Sequence, residues 1–176
     1  IITKSFDSEA GFFASLDKAC RVYMNRNQAT GVSASRSPEL LAKFIDALLK
    51  KHSRGGDEES SLDESLDAAM IVFKYIEDRD YFQKFYAKFL SRRLVSFASA
   101  STDAEESMIA RLKEACGFEY TSKIQRMFTE AGLSKELNDR FQESGMQQNK
   151  ELSFYSFVLT SGVWPLQAPQ TDFLVP

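Results

Sequence analysis

Few side chains in this chain could do chemistry, and their spacing keeps them apart. His52 is the only histidine, and it lies within a basic run, Lys50-Lys51-His52-Ser53-Arg54. A nucleophilic triad or a ligand cluster built on it would need a partner nearby, and neither Cys20 nor Cys116 is close in sequence. Both cysteines fall at apolar helical positions, Cys20 with Phe13, Leu16 and Tyr23, and Cys116 with Met108 and Leu112. That placement reads as reduced core thiols, while a structural metal would require more ligands at tight spacing. Asp63, Glu64 and Asp67 fall on exposed helical faces, where solvation and capping explain them. Gly55-Gly56 is a helix stop rather than a phosphate cradle. The expectation is a non-catalytic chain with no metal and no cofactor.

The elements that must carry these residues are legible in the apolar spacing. A first helix is predicted from Asp7 or Ser8 to about Asn25, burying Phe12, Phe13, Leu16, Ala19, Cys20 and Tyr23. Ser37-Pro38 reads as a cap followed by a first-turn proline. The helix after it presents Leu40, Leu41, Phe44, Ile45, Leu48 and Leu49 and ends in the basic run at Gly55. Ser61 with Glu64 forms a capping box for a third helix carrying Leu62, Leu66, Ala69, Met70, Phe73 and Ile76.

A polar joint, Glu77-Asp78-Arg79-Asp80, then opens a fourth helix rich in aromatics: Tyr81, Phe82, Phe85, Tyr86, Phe89, Leu90 and Leu94. Asp78 or Asp80 can cap it, and Lys88, Arg92 and Arg93 suit its C-terminal half. Thr102 with Glu105 forms another capping box. It starts a short fifth helix through Met108, Ile109 and Leu112 to a stop at Gly117. A sixth starts near Thr121 and carries Ile124, Met127, Phe128, Ala131, Leu137 and Phe141. The expected core is Phe73, Ile76, Phe82, Phe85, Tyr86, Phe89, Leu90, Leu112, Cys116 and Phe128. Short links between amphipathic helices predict a mainly α fold, an antiparallel bundle of about six helices.

Bulk properties narrow the class. The chain has 176 residues, a net charge of −3 and fifteen phenylalanines, and 43% of it is hydrophobic. This fits a folded chain with one good core or two small ones, and its acidity argues against a general nucleic-acid binder. No run approaches the roughly 18 apolar residues of a membrane span. The first residue is Ile and the last is Pro, which reads as a piece of a longer protein.

The C-terminal stretch changes character. In residues 152–160, Leu152, Phe154 and Val158 fall on one side of an extended strand, and Tyr155, Phe157 and Leu159 on the other. A strand apolar on both faces belongs inside a sheet. The only other strand candidate is 172–175, so the sheet is incomplete and its missing strands come from elsewhere in the parent chain or from a partner.

One segment is more specific than any pattern: residues 72–94, VFKYIEDRDYFQKFYAKFLSRRL, closely resemble the cullin family, the elongated scaffolds of multisubunit RING-type ubiquitin ligases. The resemblance continues in order through Ser99–Met108, Leu112–Lys123, Gln125–Phe128, Leu133–Asn138 and Ser161–Pro165. It extends upstream to Ser37–Leu41 and Lys50-Lys51. The wording is most similar to the cullin of the Skp–cullin–F-box class.

That resemblance implies three parts: 1–55, the last helices of the N-terminal repeats; 61–148, a four-helix bundle; and 151–176, the first strands of an α/β domain. It implies a rigid scaffold that positions a substrate receptor relative to a RING-box subunit and a ubiquitin-conjugating enzyme. Strand addition by the RING-box subunit is expected at Leu152, Phe154, Tyr155, Phe157, Val158, Leu159 and Trp164. The basic residues Lys50, Lys51, Arg54, Lys88, Arg92 and Arg93 are expected to steer an acidic tail of the conjugating enzyme. No membrane or nucleic-acid partner is implied, a regulator docking on the bundle stays open, and the expected location is cytoplasm and nucleus. Two other readings compete: a cullin-homology subunit of the anaphase-promoting ligase, and a free-standing helical adaptor that takes a partner helix in an apolar groove.

Overall fold

The computed structural model describes residues 9–31, 33–50, 59–144 and 154–166. Among the described residues five helices follow one another: α1 (Ala10–Asn25), α2 (Arg36–Leu48), α3 (Glu59–Tyr75), α4 (Arg79–Val95) and α5 (Thr102–Glu143). The two helices expected after Ser101 are the arms of one element, α5, broken at Gly117. There φ is 83° and ψ 175°, a backbone region essentially reserved for glycine. The predicted stop falls where the helical backbone breaks, and the two arms lie on either side of it.

A single core joins α2 to α5. Leu41, Ala42, Ile45 and Leu49 from the α2 region meet Leu62, Leu66, Ala69, Phe73 and Ile76 from α3 and its end. Phe82, Tyr86 and Leu90 of α4 complete it, with Met108, Leu112, Ile124 and Met127 of α5. On α4 the residues with no solvent exposure recur every four positions, Phe82, Tyr86 and Leu90, because that row faces its neighbours at helical pitch. Phe82 meets Phe73 edge-on, with ring centroids 4.8 Å apart, the arrangement aromatic quadrupoles favour. Of the expected core, Phe85, Phe89, Cys116 and Phe128 flank it and are half-buried.

Several local expectations need correction. The α2 cap is Ser35, not Ser37; the Ser37 hydroxyl instead donates 2.6 Å to the carbonyl of Met24. Ser101, not Thr102, caps α5 by accepting from the Ala104 N–H, and Glu105 turns inward rather than back to the cap. Asp78 does cap α4, accepting from the Tyr81 N–H at 3.3 Å.

The first helix differs most. No residue of α1 is buried, and Phe12, Phe13, Leu16 and Tyr23 are all at least 40% exposed. The described neighbours reach it mainly through polar contacts: Asn25 bonds the Tyr75 carbonyl and the Glu77 N–H, and Asp17 accepts from the Tyr75 hydroxyl. Leu40 and Phe44 of α2 and Leu137 of α5, expected inside, also lie on the surface.

No sheet forms among the described residues. Their only β pairing is an isolated antiparallel bridge between Lys50 and Ser99. Residues 154–160 run extended but belong to no strand. Leu152 and residues 172–175 lie outside the described residues.

Candidate functional site

Two polar constructions stand out, and sequence reasoning anticipated neither. The first centres on Arg93, whose side chain has no solvent exposure. Its Nε and Nη2 donate to the two carboxylate oxygens of Glu105 at 2.7 and 2.9 Å, and its Nη1 donates to Asp46 at 2.6 Å. Asp46 also holds the Lys50 ammonium at 2.6 Å, and Glu105 accepts from the Ser99 hydroxyl at 2.8 Å. Burial alone would lower the Arg93 pKa, but the hydrogen bonds and charge of Glu105 outweigh it and hold it above the ordinary value. The guanidinium stays charged, as a bidentate fork on a carboxylate requires.

Tyr86 lies against this triad, with the Arg93 guanidinium carbon 5.8 Å from its ring centre. Burial first, then the charge of Glu105, pushes its pKa well above the tyrosine range, although nearby Arg93 opposes the shift. Its hydroxyl is buried and makes no hydrogen bond among the described residues. The triad thus links α2, α4 and α5 at one point, beside the backbone bond from the Ala100 N–H to the Leu49 carbonyl at 2.8 Å.

The second construction holds the C-terminal segment. Glu130, Ser134 and Asn138 are spaced four apart on α5. They accept from the N–H groups of Thr160, Val158 and Ser156 at 3.0, 3.0 and 2.9 Å. Four residues of helix advance about 6 Å and two residues of extended chain about 6.6 Å, so an antiparallel segment can be read rung by rung. Asn138 returns a bond to the Ser156 carbonyl at 2.7 Å. Glu130 also accepts from the Thr160 hydroxyl, from Trp164 Nε1 at 2.7 Å and from Arg126 at 2.9 Å. Partial burial pushes its pKa up, but these donors prevail and hold it at about 2.

The predicted strand residues are therefore placed by a helix, not by a sheet. One edge of the segment is occupied by α5 side chains. Among the described residues no hydrogen bond uses the N–H groups of Tyr155, Phe157 and Leu159. Tyr155 and Phe157 gather with Phe97, at centroid distances of 4.9 to 5.7 Å. Trp164 is buried, whereas Phe154 and Val158 are more than half exposed. Between the two constructions lies an open cavity of about 430 Å³, walled by Arg93, Phe97, Phe128, Lys135 and Phe157.

The basic patch is rearranged. Arg93 does not belong to any surface, because two carboxylates hold it inside the fold. Lys50 is exposed but paired with Asp46. Lys88 and Arg92 are exposed and line one groove with Ser91, Pro165 and Leu166. Lys51 and Arg54 lie outside the described residues. Among those described, no cluster of His, Cys, Asp and Glu could hold a metal ion, and no helix is long and apolar enough to cross a membrane.

Sequence comparison gives this geometry a context: residues 1–138 match the cullin alpha solenoid domain. The chain belongs to the cullin family. It is 51% identical to Cullin-1 of Dictyostelium discoideum and 42% identical to Cullin-1 of Schizosaccharomyces pombe, in each case over all of this chain and 23% of the relative. Cullin-2 of Caenorhabditis elegans is 43% identical over 96% of the chain and 22% of that protein. The chain thus spans less than a quarter of the curated cullins it matches. Asp46, Glu105, Glu130, Ser134 and Asn138 were missed because helical polar residues are by default read as solvated. The signal was present: Glu130, Ser134 and Asn138, four apart, continue the inward row of Thr121, Ile124 and Met127, which recur three apart.

Proposed function

We propose that this cullin segment is a non-catalytic, rigid scaffold of a cullin–RING E3 ubiquitin ligase. In that role it holds a substrate receptor at a fixed distance and angle from a RING-box subunit and a ubiquitin-conjugating enzyme. Proximity and orientation then replace active-site chemistry. The observation that supports this is the single core running from α2 to Trp164, in a chain whose family is a solenoid. A load-transmitting rod needs continuous packing rather than a hinge. The proposed parts 1–55 and 61–148 share that core. A location in cytoplasm and nucleus belongs to the same proposal.

The RING-box contact is proposed at residues 152–164, where the segment keeps one backbone edge turned away from α5 and offers Tyr155, Phe157 and Leu159 beside it. A strand added there would draw affinity from main-chain bonds and specificity from alternate side chains. Co-purification of the chain with a RING-box protein tests this: capture is expected, and its loss on deleting residues 152–176. Capture that survives the deletion would remove the segment from the contact, and no capture at all would favour the adaptor reading.

Lys88 and Arg92 are the proposed steering pair for an acidic tail of the conjugating enzyme. Replacing both by Glu is expected to slow association several-fold at low salt, with the difference shrinking as salt rises. An unchanged association rate would discard the patch.

A further inference from the structure

We infer that the buried Arg93–Asp46–Glu105 triad is an orientation lock, which fixes α2 against the bundle of α4 and α5. Its three members come from three different helices and converge where the helices' ends meet. Apolar side chains in the same core, such as Ile45 and Leu90, attract without a preferred direction. A guanidinium fork is directional: Glu105 must present both oxygens in the plane of Arg93 while Asp46 meets the remaining nitrogen. Any rotation of α2 lengthens the Asp46 bond and leaves a charge buried without its partner, so alternative packings are penalised steeply. The joint balances itself, since Lys50 supplies the second positive charge against two carboxylates. The backbone tie between Ala100 and Leu49 then fixes the helix ends at the same level. Arg93 is thus a positioning residue. Its importance for the scaffold rests on the function proposed above, but the lock itself does not.

The test separates stability from orientation. Genetically encoded spin labels at the exposed positions Lys43 on α2 and Gln125 on α5 leave Cys20 and Cys116 untouched, and pulsed dipolar spectroscopy reads their distance distribution in the 176-residue chain. Two variants are compared with the native chain: the apolar triple Asp46→Leu, Arg93→Met, Glu105→Leu, and Arg93→Lys, which keeps the charge and loses the fork. A distribution at least twofold broader in Arg93→Lys, with helix content kept, is expected. The triple variant should broaden likewise while unfolding as cooperatively as the native chain. A native-width distribution in Arg93→Lys overturns the lock, whether or not the triple variant folds. RING-box capture by the same proteins reads the scaffold proposal separately: native chain that fails to capture, with a narrow distribution, sinks that proposal and spares the lock.

Discussion

The Arg93 joint and the Glu130 clamp use the same chemistry, a carboxylate gathering donors, in opposite surroundings. Arg93 and Glu105 have side chains with at most 1% exposure, whereas Glu130 is 13% exposed and its partner Arg126 is 56% exposed. The Arg93–Glu105 fork is closed to water, whereas the clamp holds a segment whose Ser156 and Val158 face solvent even though its Ser134 and Asn138 are buried. The joint is therefore strongly coupled to the fold, because removing one partner strands a charge where nothing can solvate it. The clamp is graded: each rung holds a piece of chain that water would accept if released. The helical body is built so that polar groups make one arrangement obligatory, and the C-terminal segment so that they make one arrangement preferred.

The sharpest way to break this contrast is Arg93→Met, which leaves Glu105 buried without its counter-charge and Asp46 with Lys50 alone. It should cost about 3–5 kcal/mol, read as a lowered midpoint in thermal or urea unfolding. A loss no larger than that of a surface ion pair would erase the distinction between the two sites. Phe82→Ala, in the fully buried row, should cost a similar ~3–5 kcal/mol by leaving a cavity. Phe85→Ala, on the half-buried flank, should cost clearly less in the same assay.

Ser134→Ala removes one rung of the clamp and releases the Val158 N–H to water, an effect of about 0.5–1.5 kcal/mol felt locally. Amide exchange should accelerate at residues 156–160 while α4 stays protected; uniform acceleration would show that clamp and core unfold together.

Acid offers a gentler probe of the same clamp. The Glu130 pKa is depressed from 4.5 to about 2 in the folded chain. Its contribution is therefore complete above pH ~4.5, shrinks as pH falls below that value, and is lost as pH falls through ~2. Trp164, the only tryptophan, donates to that carboxylate, so its emission should shift in this window before helical circular dichroism changes. Glu130→Gln should remove the transition. The smallest effect belongs to α1: Tyr23→Ser, at a position 68% exposed, should alter stability by no more than about 0.5 kcal/mol. A larger loss would mean the face is covered in solution.

Much of the helical body was legible because its pattern is local. Leu62, Leu66, Ala69, Phe73 and Ile76 are buried as their spacing demands, as are Phe82, Tyr86 and Leu90. Asp78 caps α4 as its position before an aromatic run suggests. The family, too, is carried by contiguous motifs, and the comparisons agree with that reading.

The misread residues share one cause. Arg93 was assigned to the surface and Phe12 to the interior by side-chain type, yet burial depends on what stands opposite. Asp46 and Glu105, 47 and 12 residues from Arg93, make a buried arginine tolerable. On α1, Phe12 and Phe13 keep 41% and 40% of their surface exposed. The alternation of residues 152–160 predicted a strand in a sheet, whereas residues 154–160 form no strand and α5 side chains take the N–H groups of Ser156, Val158 and Thr160.

By itself the sequence determined the mainly helical fold, the core rows of α3 and α4 and the family, because propensity and periodicity act between residues three or four apart. Only the tertiary structure decided which charges are inside and what holds the C-terminal segment. The free energy of a charge or a backbone N–H is set by the partners and the solvent around it, and those partners come from distant parts of the chain.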